Sequence, residues 1–450
     1  MLELDVIFKA YDIRGTYPDQ IDGPTCRRIG AAFARFLLDE DSANTRVLVA
    51  RDMRPSGVEL VDEFSAGVQS QGLDVVDLGL ASTDLMYFAA GSMDAAGAMF
   101  TASHNPAGYN GIKVCRSGAR PIGEDSGLAD IQRLAATELE AVENPGERSS
   151  QEALDDFVAH VHSFVDISAL SPLKVVADTA NGMGGLVVPA AFADLPFDLE
   201  VMYEELDGTF PNHPADPIDP ANQADLRARV LEVGADVGLA FDGDADRVFL
   251  VDEKGEGLSG STTTAIIAAS ILEREPGAKV IYNLICSATV PEVVAEGGGE
   301  AIRSRVGHSF IKGVMAETGA AFGGEHSAHY YFRDNYRADS GLIAALVILE
   351  RCSVTGKSLS ELRQPFERYA ASGEINTRVD DTAKVIERVA AAYGDADSDR
   401  LDGLSVRNEG WWFNLRASNT EPLLRLNLEA DTPEECERRV AEVQALMTGD

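Results

Sequence analysis

The chain is 450 residues long, 45% hydrophobic and 25% charged, with 38 lysines and arginines against 74 aspartates and glutamates and a net charge of −36. That length is too great for one hydrophobic core and corresponds to three or four domains of about 100–150 residues each. So negative a surface repels nucleic acid and anionic membranes, and the longest apolar run, 341–349, falls well short of the ~18 residues that span a bilayer, so neither is an expected partner.

The first segment, Met1 to Lys9, lacks the basic-then-apolar pattern of a secretory leader, which predicts a cytoplasmic protein. A strand over Arg46 to Ala50, a helix near Gly57 to Gln71, and strands over Asp74 to Leu78 and Ala95 to Phe100 follow in βαβ rhythm, which predicts a largely parallel sheet. The polar stretch Glu138 to Ala153 reads as an interdomain connection. The rhythm resumes with strands over Leu173 to Asp178 and Ala235 to Phe241, and a second boundary falls near Lys254 to Gly260. The next part has a helix over Ser261 to Leu272, a strand over Lys279 to Ile285 and a helix from about Ser340 to Arg351, ending near Pro365 to Ser372. The last part differs: strand Ile375 to Val379, helix Asp381 to Tyr393, strands Trp411 to Leu415 and Leu423 to Leu428, then a helix opened by Thr432, Pro433 and the capping-box residue Glu435. Cys26, Cys115, Cys286, Cys352 and Cys436 are odd in number and scattered, which argues against a disulfide framework or a structural zinc site and predicts reduced, mostly buried thiols.

Four loops carry the chemistry. In the first, 101–113, Ser103 follows a small, apolar strand and stands beside His104, several turn residues and Lys113, as a phosphate-handling serine requires. On local grounds alone an ordinary Ser/Asn/Gly turn is the better explanation of that loop. In the second, 242–247, Asp242, Asp244 and Asp246 alternate in extended backbone. Clustered carboxylates raise one another's pKa, so the grouping makes sense with a hard divalent cation, Mg2+ or Mn2+. A calcium loop of the EF-hand type fails because Arg247 stands where that loop needs glycine. A metal-dependent phosphatase with Asp244 as nucleophile remains an alternative, but it leaves Ser103 idle. In the third, 323–329, Glu325 and Ser327 are spaced to grip vicinal hydroxyls, with His329 beyond. In the fourth, Arg416, Ser418, Asn419 and Thr420 between two strands offer a guanidinium, hydroxyls, an amide and turn N–H groups, the donors of a phosphate cradle. A solvated loop and a plain hairpin are the bland readings of these last two. An anionic substrate also needs local cations on so acidic a protein. Only 8 of the basic residues are lysines, and Lys9, Arg14, His104, Lys113, Arg247, His308 and Lys312 all lie in or beside such segments.

Taken in order, these loops resemble those of the α-D-phosphohexomutase superfamily, most closely its phosphomannomutase/phosphoglucomutase branch, over essentially the whole chain: 101–113 the phosphoserine loop, 242–247 the metal loop, 324–329 the sugar loop and 416–420 the phosphate loop. The resemblance implies three similar α/β domains with mixed sheets and a smaller C-terminal α+β domain around a central cleft, at residues 1–145, 154–253, 254–366 and 370–450. It implies reversible phosphoryl transfer between the 1- and 6-positions of a hexose phosphate, with Ser103 as phosphoserine and Mg2+, one per chain, held by Ser103, Asp242, Asp244 and Asp246. Glucose 1,6-bisphosphate or mannose 1,6-bisphosphate would be the intermediate and activator. It places His104, Lys113, Arg247 and His308 in catalysis, Lys113 and His308 as acid/base candidates. Tyr11, Arg14, Lys312, Glu325, Ser327, His329, Arg416, Ser418, Asn419 and Thr420 would bind a hexose monophosphate. Mannose and glucose phosphates are the expected substrates, a phosphoglucosamine mutase is the nearest alternative, and a monomer or homodimer is expected. The chain departs from the family pattern at Ala328, usually glycine, and at Ile285 and Ala288, where a basic residue is common.

Overall fold

The computed structural model describes residues 4–417 and 423–449. Four sheets follow one another along the chain. In the first, strands Ala96–Phe100, Arg46–Arg51, Asp74–Leu80 and Arg148–Ser150 run parallel, while Tyr109–Arg116 and Ile13–Thr16 continue the other edge antiparallel. The segment read as a connection therefore contributes an edge strand, Arg148–Ser150, too short and polar to show a strand pattern. The second sheet runs Val248–Asp252, Val237–Phe241, Lys174–Asp178, Asp198–Met202, and the third Glu300–Ser304, Lys279–Asn283, Phe322–Gly324, Tyr330–Phe332. In each of these two, one terminal strand is antiparallel to parallel neighbours. The fourth is five-stranded and wholly antiparallel, with helices Thr382–Ala392 and Pro433–Thr448 packed against it.

The sheets are thus mixed, as the resemblance implies, rather than largely parallel as the βαβ rhythm alone predicts, and the exceptions are informative. In each of the first three domains one antiparallel hairpin breaks the βαβ rhythm, and its connection is one of the loops singled out above: 101–108, 242–247 and 325–329. In the fourth domain the strands Trp411–Ala417 and Leu423–Ala430, on either side of 418–422, pair antiparallel. The strands feeding the first two loops, Ala96–Phe100 and Val237–Phe241, are buried at every position, which fixes where the loops emerge. The predicted strand to Ile285 stops at Asn283, where the chain turns through Leu284–Ser287 into the helix Thr289–Glu296.

One continuous apolar core runs through parts of the first three domains, from Leu48 and Met99 through Phe241 and Val248 to Phe322 and Leu346. The fourth domain has its own core around Phe413, Leu424 and Leu426. It meets the third through polar pairs: Arg303 Nη1 to Asp399 at 2.5 Å, Val306 N to Asp402 Oδ2 at 3.2 Å and Ala288 N to Glu429 Oε2 at 2.9 Å. All five cysteines are free and buried. Among the described residues no helix is long and apolar enough to cross a membrane.

Candidate active site

The first two loops meet at Ser103. Its backbone is left-handed, φ +49°, uncommon for a residue with a Cβ, and its N–H is held by Thr101 Oγ1 at 2.8 Å. The hydroxyl donates to Asp242 Oδ2 at 2.7 Å and lies 3.2 Å from His104 Nδ1. The loops approach so closely that a Cβ on Gly243 would stand 2.4 Å from the Ser103 carbonyl oxygen, so only glycine fits there.

Asp242, Asp244 and Asp246 are 0–1% exposed, and one oxygen from each lies within 4.8 Å of the others. Arg247 closes the group from one side with Nε 3.0 Å from Asp242, and Lys113 from the other, its Nζ 2.9 Å from Asp244 Oδ2 and 2.8 Å from Asp246 Oδ2. Thr83 holds Asp244 by side chain at 2.7 Å and by backbone at 3.0 Å. Burial drives the Asp242 carboxyl well above the usual range against the pull of Arg247, whereas Lys113 overcomes burial at Asp244 and holds it well below. Burial lowers the Lys113 ammonium's pKa, but Asp244 and Asp246 more than offset it and hold the group well above its usual value. Two buried oxygens, Asp244 Oδ1 and Asp246 Oδ1, have no hydrogen-bond partner among the described residues. An all-oxygen donor set with two free, buried oxygens fits a hard divalent cation.

The third loop comes next. His329 pairs with Arg247 in an isolated antiparallel bridge, and its Nε2 lies 3.7 Å from Asp246 Oδ1, so the third domain touches the carboxylate group directly. Glu325 is 2% exposed and accepts from Asn283 at 3.3 Å, Ser327 at 3.2 Å and Tyr331 at 3.1 Å, which leaves about one of four lone-pair positions for a ligand. Ser327 Oγ is also 3.0 Å from His329 Nδ1. Ala328 is buried and takes φ +64°, the left-handed conformation for which glycine is the low-cost choice. Ile285 is buried in the turn after Asn283, and Ala288 spends its N–H on Glu429, so no cation stands at either place.

Tyr11 and Arg14 enter from the first domain. Arg14 Nη1 donates to Asn105 of the serine loop at 2.6 Å, and its other nitrogen pairs with Asp12. The Tyr11 ring meets His308 edge-on with centroids 5.4 Å apart and fills the space that a side chain at Gly307 (φ +127°) would need. His308 Nδ1 is buried with no partner among the described residues, and loss of water around the ring, then Lys312, pushes its pKa well below the usual value; the ring is neutral at pH 7. His104 is likewise lowered, by desolvation and then Arg247.

Lys312 departs from the expectation of a ligand-binding lysine. Its side chain is 1% exposed, its Nζ stands 2.9 Å from Asp339 Oδ1 and 3.8 Å above the Tyr87 ring, and it braces the wall behind His308. Asp339 also groups with Asp246 and His329, but its charge is already met by Lys312. Ser418, Asn419 and Thr420 lie outside the described residues. At the edge of that loop Arg416 faces Arg425 across the hairpin, both beside Glu374 at 3.4 and 3.2 Å, and both Nε atoms are buried without a partner among the described residues. Arg425, Thr83 and the buried pair Asp52 and Arg54 were not anticipated from the sequence. Arg425 had a usable signal, a guanidinium between Leu424 and Leu426 and opposite Arg416.

Family models for phosphoglucomutase/phosphomannomutase match in order along the chain: alpha/beta/alpha domain I at residues 5–141, domain II at 155–256, domain III at 259–369 and the C-terminal domain at 374–446. A protein of Xanthomonas campestris pv. campestris described as phosphohexose mutases is 41% identical over 448 residues, covering 98% of this chain and 99% of that protein. The phosphomannomutase of Salmonella typhimurium is 40% identical over 435 residues, 94% of each chain. A crystal structure of a phosphoglucomutase/phosphomannomutase family protein from Burkholderia thailandensis superposes with TM-score 0.90 at 31% identity, covering 100% of this chain and 98% of that one. With all four domain models matched in order along the chain and relatives about 40% identical over nearly its whole length, the chain belongs to the phosphoglucomutase/phosphomannomutase family of α-D-phosphohexomutases.

Proposed function

We propose that this phosphohexomutase interconverts mannose 1-phosphate and mannose 6-phosphate, and the corresponding glucose phosphates, with Ser103 as phosphoryl carrier. The observation that carries the reading is Ser103 itself: strained, buried, and hydrogen-bonded at 2.7 Å to one of three clustered carboxylates. Asp244 suits the phosphatase role poorly, since Thr83 and Lys113 occupy one of its oxygens in a fully buried place. Asp242, Asp244, Asp246 and the phosphoserine would hold Mg2+, which when bound neutralises charge on the transferring group. Phosphoserine gives its phosphoryl group to the free hydroxyl of the bound hexose monophosphate: the serine Oγ–P bond breaks and the sugar O–P bond forms. The neutral His308 would take the hydroxyl proton, and the cationic Lys113 would stabilise the phosphoryl oxygens and donate toward Ser103 Oγ. The 1,6-bisphosphate then turns around and returns its other phosphate to Ser103. Arg416, Arg425, Ser418, Asn419 and Thr420 would hold the phosphate that does not react. Tyr11, Arg14, Arg247 and His104 would line the serine end, with Lys312 bracing His308.

Glu325 and Ser327 grip the 3- and 4-hydroxyls in either orientation and ignore carbon 2, where mannose and glucose differ. Purified enzyme is expected to turn over both 1-phosphates with kcat/KM values within about a thousandfold; a larger ratio, or preference for an amino-sugar phosphate, overturns the dual assignment. Peptide mass spectrometry should find phosphate on Ser103 of active enzyme, and its absence there from turning-over enzyme overturns the carrier role. Gly243→Ala tests the loop contact, since its methyl forces apart the metal and serine loops. A fall in kcat of about 10²-fold at a stability cost of ~1–3 kcal/mol is expected from kinetics and thermal melts; unchanged kcat would mean that the loops need not touch.

A further inference from the structure

We propose that Arg54 is a positioning residue that holds the serine loop in one geometry while Ser103 cycles between hydroxyl and phosphate. The proposal rests on Ser103 being the phosphoryl carrier. Arg54 is 0% exposed. A guanidinium has five N–H donors, and each is matched here. Nε donates to Asp52 Oδ2 at 3.1 Å; one terminal nitrogen donates to the carbonyls of Pro106 at 2.8 Å and Tyr109 at 3.0 Å; the other donates to those of Ser103 at 2.9 Å and Asn105 at 2.6 Å. Four of the five acceptors therefore come from the single turn that carries the nucleophile. Asp52, also 0% exposed, fixes the other end by accepting from Arg54 N at 2.9 Å while its own N–H is held by Phe100 O at 2.9 Å.

The second domain covers this clamp. The Phe210 ring centroid lies 5.1 Å from the guanidinium, and a Cβ on Gly208 would stand 2.7 Å from Arg54 Cα. Removing an ion pair from water is expensive, and well-packed apolar residues often replace one without loss of stability. Stability alone gives little reason for a charge at this place, whereas positioning does. The loop must keep Ser103 at φ +49° before and after gaining a phosphate dianion, and a planar fork bonded to four carbonyls allows the turn little slack. Lysine, a point charge with three donors, cannot reproduce that fork.

The test uses full-length enzyme loaded with Mg2+. Arg54→Lys is expected to lower kcat about a hundredfold with KM for hexose monophosphate within about threefold, the cost of small misplacement rather than lost binding. Single-turnover transfer from glucose 1,6-bisphosphate to dephosphorylated Ser103 should slow by the same factor, measured per folded molecule by circular dichroism. Guanidinium ion should restore Arg54→Ala at least about tenfold, which a general loss of structure would not permit. Transfer by folded Arg54→Lys within about threefold of wild type overturns the proposal. If neither Arg54 variant folds, Phe210→Leu, which removes the covering ring and no hydrogen bond, decides: slower transfer at wild-type KM supports the clamp, and an unchanged rate overturns it. If wild type takes no phosphate on Ser103, both the carrier reading and the clamp fall; if wild type is phosphorylated and the variants match it, the clamp alone falls.

Discussion

Mutation of Ser103 to alanine is expected to lower mutase turnover by a factor on the order of 10⁴ or more while leaving the enzyme folded. The hydroxyl has one short bond, to Asp242, and one longer approach to His104. Its loss costs about 1 kcal/mol, small against the core shared by the first three domains. Alanine bears φ +49° no worse than serine, because the strain arises from the Cβ that both possess. What disappears is the atom that, on the proposed reading, stores the phosphoryl group between half-reactions, and the side chains beside it are otherwise engaged. Asp242 turns toward Ser103 but is held by Arg247, Asp244 is tied to Thr83 and Lys113, and desolvation keeps the His104 ring uncharged. The check is a coupled assay with trace glucose 1,6-bisphosphate, alongside a free-phosphate assay. Surviving turnover, or phosphate release at wild-type rate, would favour an aspartate nucleophile and sink the serine.

The first three loops were legible because each joins antiparallel strands by a short connection whose polar residues stand out against apolar flanks, as 242–247 does between Val237–Phe241 and Val248–Asp252. Sheet direction was not legible in the βαβ rhythm, and only the resemblance implied mixed sheets. A hairpin at the end of a βαβ run looks like one more parallel strand until its pairing is known. Arg54 and Thr83 were missed because their roles lie in what they reach: Arg54 bonds carbonyls about fifty residues on, and Thr83 a carboxylate 161 residues on. Lys312 shows the converse. One turn beyond His308 on the helix His308–Thr318, it shares the catalytic face by spacing, but Asp339 and Tyr87 draw its ammonium into the wall.

Asp244→Asn is expected to cut kcat by about 10²–10³-fold with KM within about threefold, because it removes charge from the place where the transferring phosphoryl group is stabilised rather than from the sugar grip. The carboxylate is fully buried and accepts from Thr83 and Lys113 through Oδ2, leaving Oδ1 free. An amide of the same shape keeps at most one of these roles. With its oxygen toward Thr83 and Lys113, its NH2 group points at the place where a cation needs a lone pair; reversed, it faces the Lys113 ammonium. Lys113 retains Asp246 at 2.8 Å as counter-ion, so the variant should fold. A readout independent of turnover separates metal from structure. Added Mg2+ should raise the wild-type melting temperature, in line with the ~2.7 kcal/mol gained at a hundred times Kd, and should barely move the variant. Chelation should abolish wild-type activity reversibly, with Mg2+ restoring it. A variant that melts and turns over like wild type, with the same response to Mg2+, would remove Asp244 from the metal site and leave the clustered carboxylates to Lys113 and Arg247 alone.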